Sequence, residues 1–374
     1  MNQLSNQEII YMNSAQSGKY SSEVIFSIEK IFQEESHYGG GSPYIQQIKG
    51  EIQKKSRQML AHSMNVLPEE IVLTQNTTEG INILSQGLDF RYHDEIIITS
   101  SEHYSCVVPW KNIVNTKGVT LKTLQIEECY QHNIFKEELF IQQLQSLITN
   151  KTRALFLSHI LYDTGLEIPV KKICALLKKY PIEIIIDGAQ AFGHIPVDLS
   201  DLGCHYYAFT CSKWLNGPSG TGGLYIQKDR INSIKPVFSG YMSITSHETW
   251  EYKQDAGCFE VSTKSAPLLN GMITALEQYN PLEKFSCILA NTARVQEILQ
   301  SFVEVKIISP QQNGIITFQL SEIGYLEVFN FLIENGIICR TIDELEAIRF
   351  AVPPFLSEEN YDRLFQVLRS IFNN

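Results

Sequence analysis

The segment Glu183-Ile-Ile-Ile-Asp187-Gly-Ala-Gln190 carries the clearest information about the fold of this chain. Its consecutive isoleucines predict a strand buried on both faces, as in a parallel sheet covered by helices. Asp187 stands at the carboxyl end of that strand, where open α/β sheets bind their ligands. The Asp187 carboxylate therefore either meets a cationic group or caps the following helix, and this fragment alone leaves both possibilities open.

A single lysine follows in Phe209-Thr-Cys-Ser-Lys213-Trp-Leu-Asn-Gly-Pro-Ser-Gly-Thr-Gly-Gly223. An isolated lysine is ordinarily a solvated surface residue. Lys213, however, follows a predicted strand and precedes two apolar residues, and burial there would lower the pKa of its amine and make it a nucleophile. The segment Gly220–Gly223 lacks both the dinucleotide fingerprint and the P-loop lysine, so neither site is predicted.

The segment Gln75-Asn-Thr77-Thr78-Glu-Gly80 places hydroxyl groups and free backbone N–H groups at the start of a helix that follows a strand. Such a helix start can bind a phosphate group. A plain capping box explains the same residues equally well.

The rest of the chain alternates between strand and helix patterns, which predicts an α/β fold with a mostly parallel, helix-covered sheet of seven strands. Amphipathic helices are predicted at Ser21–Glu35, Tyr44–Met64, Gly80–Gly87, Val107–Val114, Lys136–Ile148 and Val170–Tyr180. Strands are predicted at Ile71–Thr74, Glu95–Thr99, Val119–Leu124, Arg153–Ser158, Glu183–Asp187, Tyr206–Phe209 and Gly223–Ile226.

Three parts of the chain are predicted: an N-terminal segment at residues 1–20, a large domain at 21–265 and a smaller α+β domain at 266–374. The small domain is expected to hold two long helices, strands at Val303–Ile308 and Gly314–Leu320, a helix, two more strands and a closing helix at Ser357–Phe372. A length of 374 residues exceeds what one hydrophobic core usually supports, which favours more than one domain.

Composition excludes several function classes. The chain carries 30 Lys+Arg against 41 Asp+Glu, a net charge of −11, with no basic run, so neither nucleic acid nor an anionic membrane is expected as a partner. No apolar run approaches the roughly 20 residues of a membrane span. The polar N-terminus lacks signal-peptide features, which predicts a cytoplasmic protein. The eight cysteines are scattered without zinc-ligand spacing, so no metal site is predicted.

Taken together, these segments resemble the class V aminotransferase and cysteine desulfurase family of pyridoxal-phosphate enzymes of fold type I. The resemblance covers nearly the whole chain, and its pieces occur in family order. They are Asn13-Ser-Ala15, Asn76-Thr-Thr-Glu-Gly-Ile-Asn82, Glu102-His-Tyr-Ser-Cys-Val-Val-Pro-Trp110, Ser158-His159, Asp187-Gly-Ala-Gln190, Ser212-Lys213, Phe259-Glu-Val-Ser-Thr263 and Arg340-Thr.

The resemblance implies that Lys213 bonds covalently to the cofactor aldehyde and then moves a proton at the substrate α-carbon. It implies that Asp187 keeps the pyridine nitrogen protonated, so that the ring accepts electrons. His103 would stack on the ring, and Gln190 would hydrogen-bond the phenolic oxygen. The hydroxyl groups expected to hold the phosphate belong to Thr77, Thr78, Thr210 and Ser212.

The resemblance also implies residues for the substrate and for a second subunit. Arg349 matches the arginine that binds the substrate α-carboxylate, with a helix-facing salt bridge as the alternative explanation. Asn13 and Tyr162 are expected near the substrate, and either Tyr162 or Asp163 would replace an asparagine that many relatives have beside the ring. Thr263 resembles a residue that reaches the phosphate of the neighbouring subunit, which implies a homodimer.

The connector between Arg340 and Arg349 indicates which branch of the family this chain is closest to. Desulfurases of this family carry an extended loop there, with a cysteine that forms a persulfide, whereas this connector is short and has no cysteine. Cys339 precedes the connector and is interpreted as a strand residue. The chain is thus most similar to the branch of C–S lyases and isopenicillin N epimerase-like enzymes.

We therefore expect a pyridoxal-phosphate enzyme that cleaves the C–S bond of a cysteine derivative by β-elimination. Cysteine desulfurase, amino-acid epimerase and aminotransferase are the enzymatic alternatives. A non-catalytic binding protein with the same fold is the alternative of another class, and the presence of both Lys213 and Asp187 argues against it.

Overall fold

The computed structural model describes residues 8–131, 134–310 and 313–372. In chain order, the strands are β1 (Ile10–Tyr11), β2 (Ile71–Thr74), β3 (Glu95–Thr99), β4 (Thr120–Leu124), β5 (Tyr130–Gln131), β6 (Ile134–Phe135), β7 (Thr152–Ser158), β8 (Glu183–Asp187), β9 (Tyr206–Thr210), β10 (Gly222–Ile226), β11 (Val305–Ile307), β12 (Ile315–Leu320), β13 (Ile337–Ile338), β14 (Arg340–Ile342) and β15 (Ala347–Ala351). The helices are α1 (Ser22–Tyr38), α2 (Pro43–Ser63), α3 (Thr77–Gly87), α4 (Tyr104–Lys117), α5 (Glu137–Leu147), α6 (Val170–Leu177), α7 (Leu199–Leu202), α8 (Ala266–Glu277), α9 (Pro281–Gln300), α10 (Tyr325–Glu334) and α11 (Glu358–Phe372).

The main sheet has seven strands in the spatial order β2-β10-β9-β8-β7-β3-β4. Strand β10 runs antiparallel to both neighbours, and the other adjacent strands are parallel. Apolar side chains fill both faces of this sheet and form two separate cores. The predicted α/β class, with a mostly parallel seven-stranded sheet, is confirmed.

Capping residues set several helix boundaries that periodicity alone placed imprecisely. Helix α4 begins three residues before its predicted start, because the His103 side chain accepts a hydrogen bond from the backbone N–H of Ser105 and caps the helix. Helix α1 continues past its predicted end to Gly39, whose φ of 79° ends the helix. The helix cap thus fixes where the His103 ring lies.

A second, antiparallel sheet has the order β11-β12-β15-β14 and packs with α9, α10 and α11 around its own core. Three short strands follow α10 where two were predicted. The additional strand, β13, pairs not with this sheet but with β1 from the N-terminus. The domain boundary at residues 265/266 stays a prediction.

Residues 1–7 of the predicted N-terminal segment lie outside the described residues, and residues 10–18 run from β13 to the turn that follows β9. Ile10 pairs with Ile337, and the backbone N–H of Gly18 donates to the Ser212 carbonyl at 2.7 Å. A Cβ at Gly18 would lie 2.1 Å from the Lys213 carbonyl oxygen, so only glycine permits this approach. The segment therefore reaches the backbone at Lys213.

Candidate active site

A cavity of about 280 Å³ opens beyond the carboxyl ends of the central strands. The predicted cofactor residues that line this cavity are Thr77, Thr78, His103, Asp187, Gln190, Thr210, Ser212 and Lys213. Two of the predicted substrate residues, Tyr162 and Arg349, also line it. The structure thus gathers ten of the twelve predicted side chains in one place.

Lys213 lies in the turn after β9, with its accessible surface facing this cavity. Burial lowers the pKa of its amine, and the positive charge of Arg349 lowers it further, while the charge of Asp187 acts in the opposite direction. A lysine whose pKa is lowered is a better nucleophile and base near neutral pH.

Asp187 ends β8 and is buried, and each of its carboxylate oxygens has a protein partner. Oδ1 accepts a hydrogen bond from the backbone N–H of Ala189 at 2.7 Å. Oδ2 accepts from the Cys106 thiol at 2.8 Å. The carboxylate is therefore held in a defined orientation before any ligand binds.

His103 and Gln190 are each oriented by protein contacts. The His103 Nδ1 atom lies 2.7 Å from Ser105 Oγ, and its ring meets the Tyr162 ring edge-on, with 4.9 Å between centroids. Burial lowers the pKa of His103, which favours the neutral imidazole. The Gln190 amide donates to the Ala15 carbonyl at 2.9 Å and accepts from Trp214 Nε1 at 2.8 Å.

The start of α3, where a phosphate site is predicted, presents two threonines to the cavity. Asn76 caps the helix, so Thr77 and Thr78 occupy its first turn. The Thr77 hydroxyl is buried and has no hydrogen-bond partner within the described residues. A Cβ on Gly222 would lie 2.6 Å from the Phe209 carbonyl and 3.2 Å from Asn76 Cα, so β10 can approach this helix start only with glycine there. An anion would satisfy the unpaired hydroxyl.

Arg349 lies on β15 and not on a helix, and no ion pair within the described residues involves it, so the alternative of a helix-facing salt bridge is wrong. The side chain is fully buried, and its Nη1 donates to the Tyr162 carbonyl at 2.5 Å. Its Nε and Nη2 atoms have no partner in the part of the chain that the structure describes. Burial and the nearby charge of Arg340 lower the pKa of Arg349 to about 9. Two unpaired donors on one guanidinium form a fork that matches a carboxylate.

Asn13 and Thr263 do not line this cavity. The Asn13 amide donates to Gln16 Oε1 at 3.1 Å, while Gln16 itself faces the cavity. Thr263 is exposed on the surface, and its hydroxyl lies 2.8 Å from the Tyr241 hydroxyl.

Of the two residues considered as replacements for the ring-side asparagine, only Tyr162 faces the cavity. The Asp163 carboxylate accepts from the Ser101 hydroxyl and, at 2.6 Å, from the backbone N–H of Thr164. These contacts direct it away from the cavity. Asp163 therefore has a structural role in the segment after β7.

Sequence reasoning gave no role to several residues that the structure places at this site, among them Gln16, Arg340 and Cys106. Arg340 lines the cavity and pairs across the strands with Arg349. Cys106 contacts Asp187 from the first turn of α4. The proximity of Arg340 and Arg349 in a short hairpin was a signal for Arg340. The contact between Cys106 and Asp187 joins elements that are distant in sequence, so no local pattern indicates it.

Cys339 is buried between β13 and β14, and burial raises the pKa of its thiol well above the ordinary value. No cysteine lines the cavity among the residues that the structure describes. Over the same residues, no group of three or more His, Cys, Asp or Glu side chains is arranged to hold a metal ion. None of the described helices is both long and apolar enough to cross a lipid bilayer.

A partly buried lysine, a strand-end carboxylate, an unpaired hydroxyl at a helix start and an arginine with two unpaired donors line one cavity, an arrangement typical of pyridoxal-phosphate enzymes of fold type I. Residues 10–343 match the family Aminotransferase class-V. The chain belongs to this family.

Curated relatives are cysteine desulfurases. The chain is 31% identical over 295 residues to the cysteine desulfurase of Cronobacter sakazakii. That alignment covers 74% of this chain and 68% of that protein. The chain is 30% identical over 287 residues to cysteine desulfurases of Escherichia coli, covering 73% of this chain and 68% of those proteins.

Solved structures include C-DES, a cystine C–S lyase, in complex with its reaction product cysteine persulfide. Its TM-score is 0.91 at 29% identity, and the match covers 98% of each chain. A second C-DES structure, of a variant with glycine covalently linked to the pyridoxal-phosphate cofactor, also gives a TM-score of 0.91. The cysteine desulfurase of Thermococcus onnurineus, at 20% identity and a TM-score of 0.85, shares the fold.

Proposed function

We propose that this chain is a C–S lyase that acts on a disulfide-linked cysteine derivative such as cystine. The observation that carries the proposal is the pair of arginines, Arg340 and Arg349, facing one cavity from a short hairpin without a cysteine. A substrate with two carboxylates would neutralise both cations.

Arg349 would bind the substrate α-carboxylate through its unpaired Nε and Nη2 atoms, since a guanidinium fork matches two carboxylate oxygens. Arg340 pairs across the hairpin with Arg349 and would meet the distal carboxylate. Because Arg349 already donates to the Tyr162 carbonyl, its orientation is set before substrate binds. A substrate held in this way would present its α-carbon to the cavity that Lys213 lines.

Pyridoxal phosphate, when bound, would accept the electrons released at the α-carbon. Lys213 would take the α-proton, because its lowered pKa leaves a larger fraction of its amine unprotonated than in an ordinary lysine. Asp187 would hold the pyridine nitrogen, His103 would lie against the ring, and Gln190 would contact the phenolic oxygen. The phosphate would be held by hydroxyl groups of Thr77, Thr78, Thr210 and Ser212.

Elimination from cystine breaks one C–S bond and releases cysteine persulfide. The remaining three-carbon unit takes up water and gives pyruvate and ammonia. No protein thiol takes part in this sequence, which agrees with the burial of Cys339 and the raised pKa of its thiol.

Cysteine desulfurase is the second candidate, favoured by the curated relatives. That reaction needs an accessible protein thiol that accepts sulfur and leaves alanine as product. Epimerase and aminotransferase activities would instead give the inverted amino acid or a keto acid.

We also propose a homodimer, in which Thr263 reaches the phosphate of the partner subunit. Thr263 is exposed, and several large apolar residues close to it in sequence are exposed as well, namely Val237, Phe238, Tyr241, Trp250 and Tyr252. A second subunit would cover them. A cytoplasmic location is proposed because all eight cysteines are free, as in reducing compartments.

The decisive experiment is an absorbance spectrum of the purified protein, recorded before and after adding L-cystine or L-cysteine, with pyruvate, alanine and sulfide assayed in the same samples. A visible cofactor band with pyruvate formed from cystine is expected. If alanine forms together with persulfide or sulfide, the reaction is that of a desulfurase and not that of a lyase. A protein without a visible band after incubation with pyridoxal phosphate would contradict the proposal.

A further inference from the structure

Cys106 makes a contact that none of the proposed steps uses. Its side chain is buried in the first turn of α4, with its Sγ atom 2.8 Å from Asp187 Oδ2. The other carboxylate oxygen is occupied by the backbone N–H of Ala189. Among the described residues, the Cys106 thiol is therefore the side chain that donates a hydrogen bond to Asp187, the residue proposed to hold the pyridine nitrogen.

The thiol in this contact is a donor and not a nucleophile. Burial raises the pKa of Cys106 well above its ordinary value, and the charge of Asp187 raises it further. The thiol therefore stays protonated at neutral pH and donates its hydrogen to Asp187 Oδ2. A neutral S–H is a weak donor, so it orients the carboxylate while withdrawing little of its negative charge.

The orientation of Asp187 matters because its carboxylate can face a ring nitrogen in only one side-chain rotamer. The Ala189 N–H fixes one oxygen from the chain that follows β8, and Cys106 fixes the other from α4. Helix α4 also begins at His103, the residue expected on the ring face. One helix start therefore positions groups on the face and on the nitrogen side of the same ligand.

We propose that Cys106 is a positioning residue for the cofactor, acting through Asp187. The thiol sets the orientation of the Asp187 carboxylate and leaves its charge available to the pyridine nitrogen. This inference rests on the proposed role of Asp187, and its test is designed to separate the two.

The test compares Cys106→Val, which keeps side-chain volume but removes the donor, with Cys106→Ser, which keeps a donor. Apoprotein of each variant is titrated with pyridoxal phosphate, and the dissociation constant, the visible absorption maximum, kcat and KM for cystine are measured. We expect Cys106→Val to weaken cofactor binding and lower kcat by about tenfold each, the effect of one hydrogen bond to a charged group, with KM nearly unchanged. Its absorption maximum should also shift.

Cys106→Ser should return the affinity and kcat to within about threefold of the original protein, since its hydroxyl still donates to Asp187. Cys174→Ala is the matched control, because Cys174 is a buried thiol on α6 that does not line the cavity. It should change stability but not the spectrum. If Cys106→Val does not fold, the Cys106→Ser spectrum decides, since a stronger donor on Oδ2 must move the absorption maximum.

Unchanged affinity, spectrum and kcat in Cys106→Val would overturn the positioning role if Asp187→Ala is inactive in parallel. If Cys106→Val is unfolded, an unchanged absorption maximum in Cys106→Ser would overturn the positioning role. If Asp187→Ala itself keeps its activity and spectrum, the proposed function fails first. The two failures are therefore distinguishable.

Discussion

Replacing Arg349 by methionine should stabilise the free protein while abolishing tight substrate binding. Arg349 is fully buried, has no ion pair within the described residues, and has its pKa lowered from its ordinary value to about 9. This shift corresponds to a free-energy cost on the order of 5 kcal/mol for carrying the charge in the folded state, at about 1.36 kcal/mol per pKa unit. Because the folded-state pKa is lowered, the cost is present in full below pH 9, including at pH 7.

Part of that cost is offset by the hydrogen bond to the Tyr162 carbonyl, which methionine loses. We therefore expect Arg349→Met to raise the free energy of unfolding of the apoprotein by about 1–4 kcal/mol, the range seen when buried charges are replaced by apolar residues. Denaturant unfolding at pH 7 measures this directly. KM for cystine should rise by about 10²–10³-fold, since a buried charge pair with the substrate is lost.

Arg349→Lys is the matched variant, since it keeps the charge but not the two-pronged geometry. It should bind substrate with intermediate affinity and show no gain in stability. The reasoning would be refuted if Arg349→Met were clearly less stable than the original protein, or if its KM were unchanged. The first result would mean that the buried guanidinium is compensated by contacts that the structure does not show.

Three further substitutions test the roles of the central residues. Lys213→Ala should lose the visible cofactor band, because no other amine is proposed to bond to the aldehyde; a retained band in the absorbance spectrum contradicts the assignment. Asp187→Ala should lower kcat by about 10²–10³-fold, as for loss of a buried electrostatic partner, with a smaller change in cofactor affinity. Near-normal turnover in the pyruvate assay would remove that role. Cys339→Ser should retain pyruvate formation from cystine, because Cys339 is buried with a raised pKa. An inactive but folded variant would favour the desulfurase reaction.

Sequence pattern was sufficient for the main sheet because burial on both faces leaves runs such as Ile184–Ile186, which no helix in a half-exposed layer would carry. It was also sufficient to place Lys213 and Asp187 at one cavity, since Asp187 ends one predicted strand and Lys213 comes shortly after another whose carboxyl end lies at the same edge. Local order along the chain encodes such positions.

Other features depend on contacts between distant segments, and local pattern does not encode them. Asn13 and Gln16 are three residues apart, yet only Gln16 faces the cavity, because the pairing of β1 with β13 sets the course of the segment. Tyr162 and Asp163 are adjacent but point in different directions, which follows from the hydrogen bonds of Asp163. The contact between Cys106 and Asp187 joins the start of α4 to the end of β8, which are distant in sequence.

The path of the N-terminal segment also has a consequence for the order in which the protein is assembled. Residues 10–18 are synthesised long before residues 337–351, yet Ile10 pairs with Ile337 and the Asn13 backbone bridges to Ala351. Closing so long a stretch of chain is entropically costly and slow. The wall of the cavity formed by Ala15 and Gln16 can therefore be completed only after β13 and β15 have been synthesised. A nascent chain that stalls before β13 would have the main sheet but not a closed catalytic cavity.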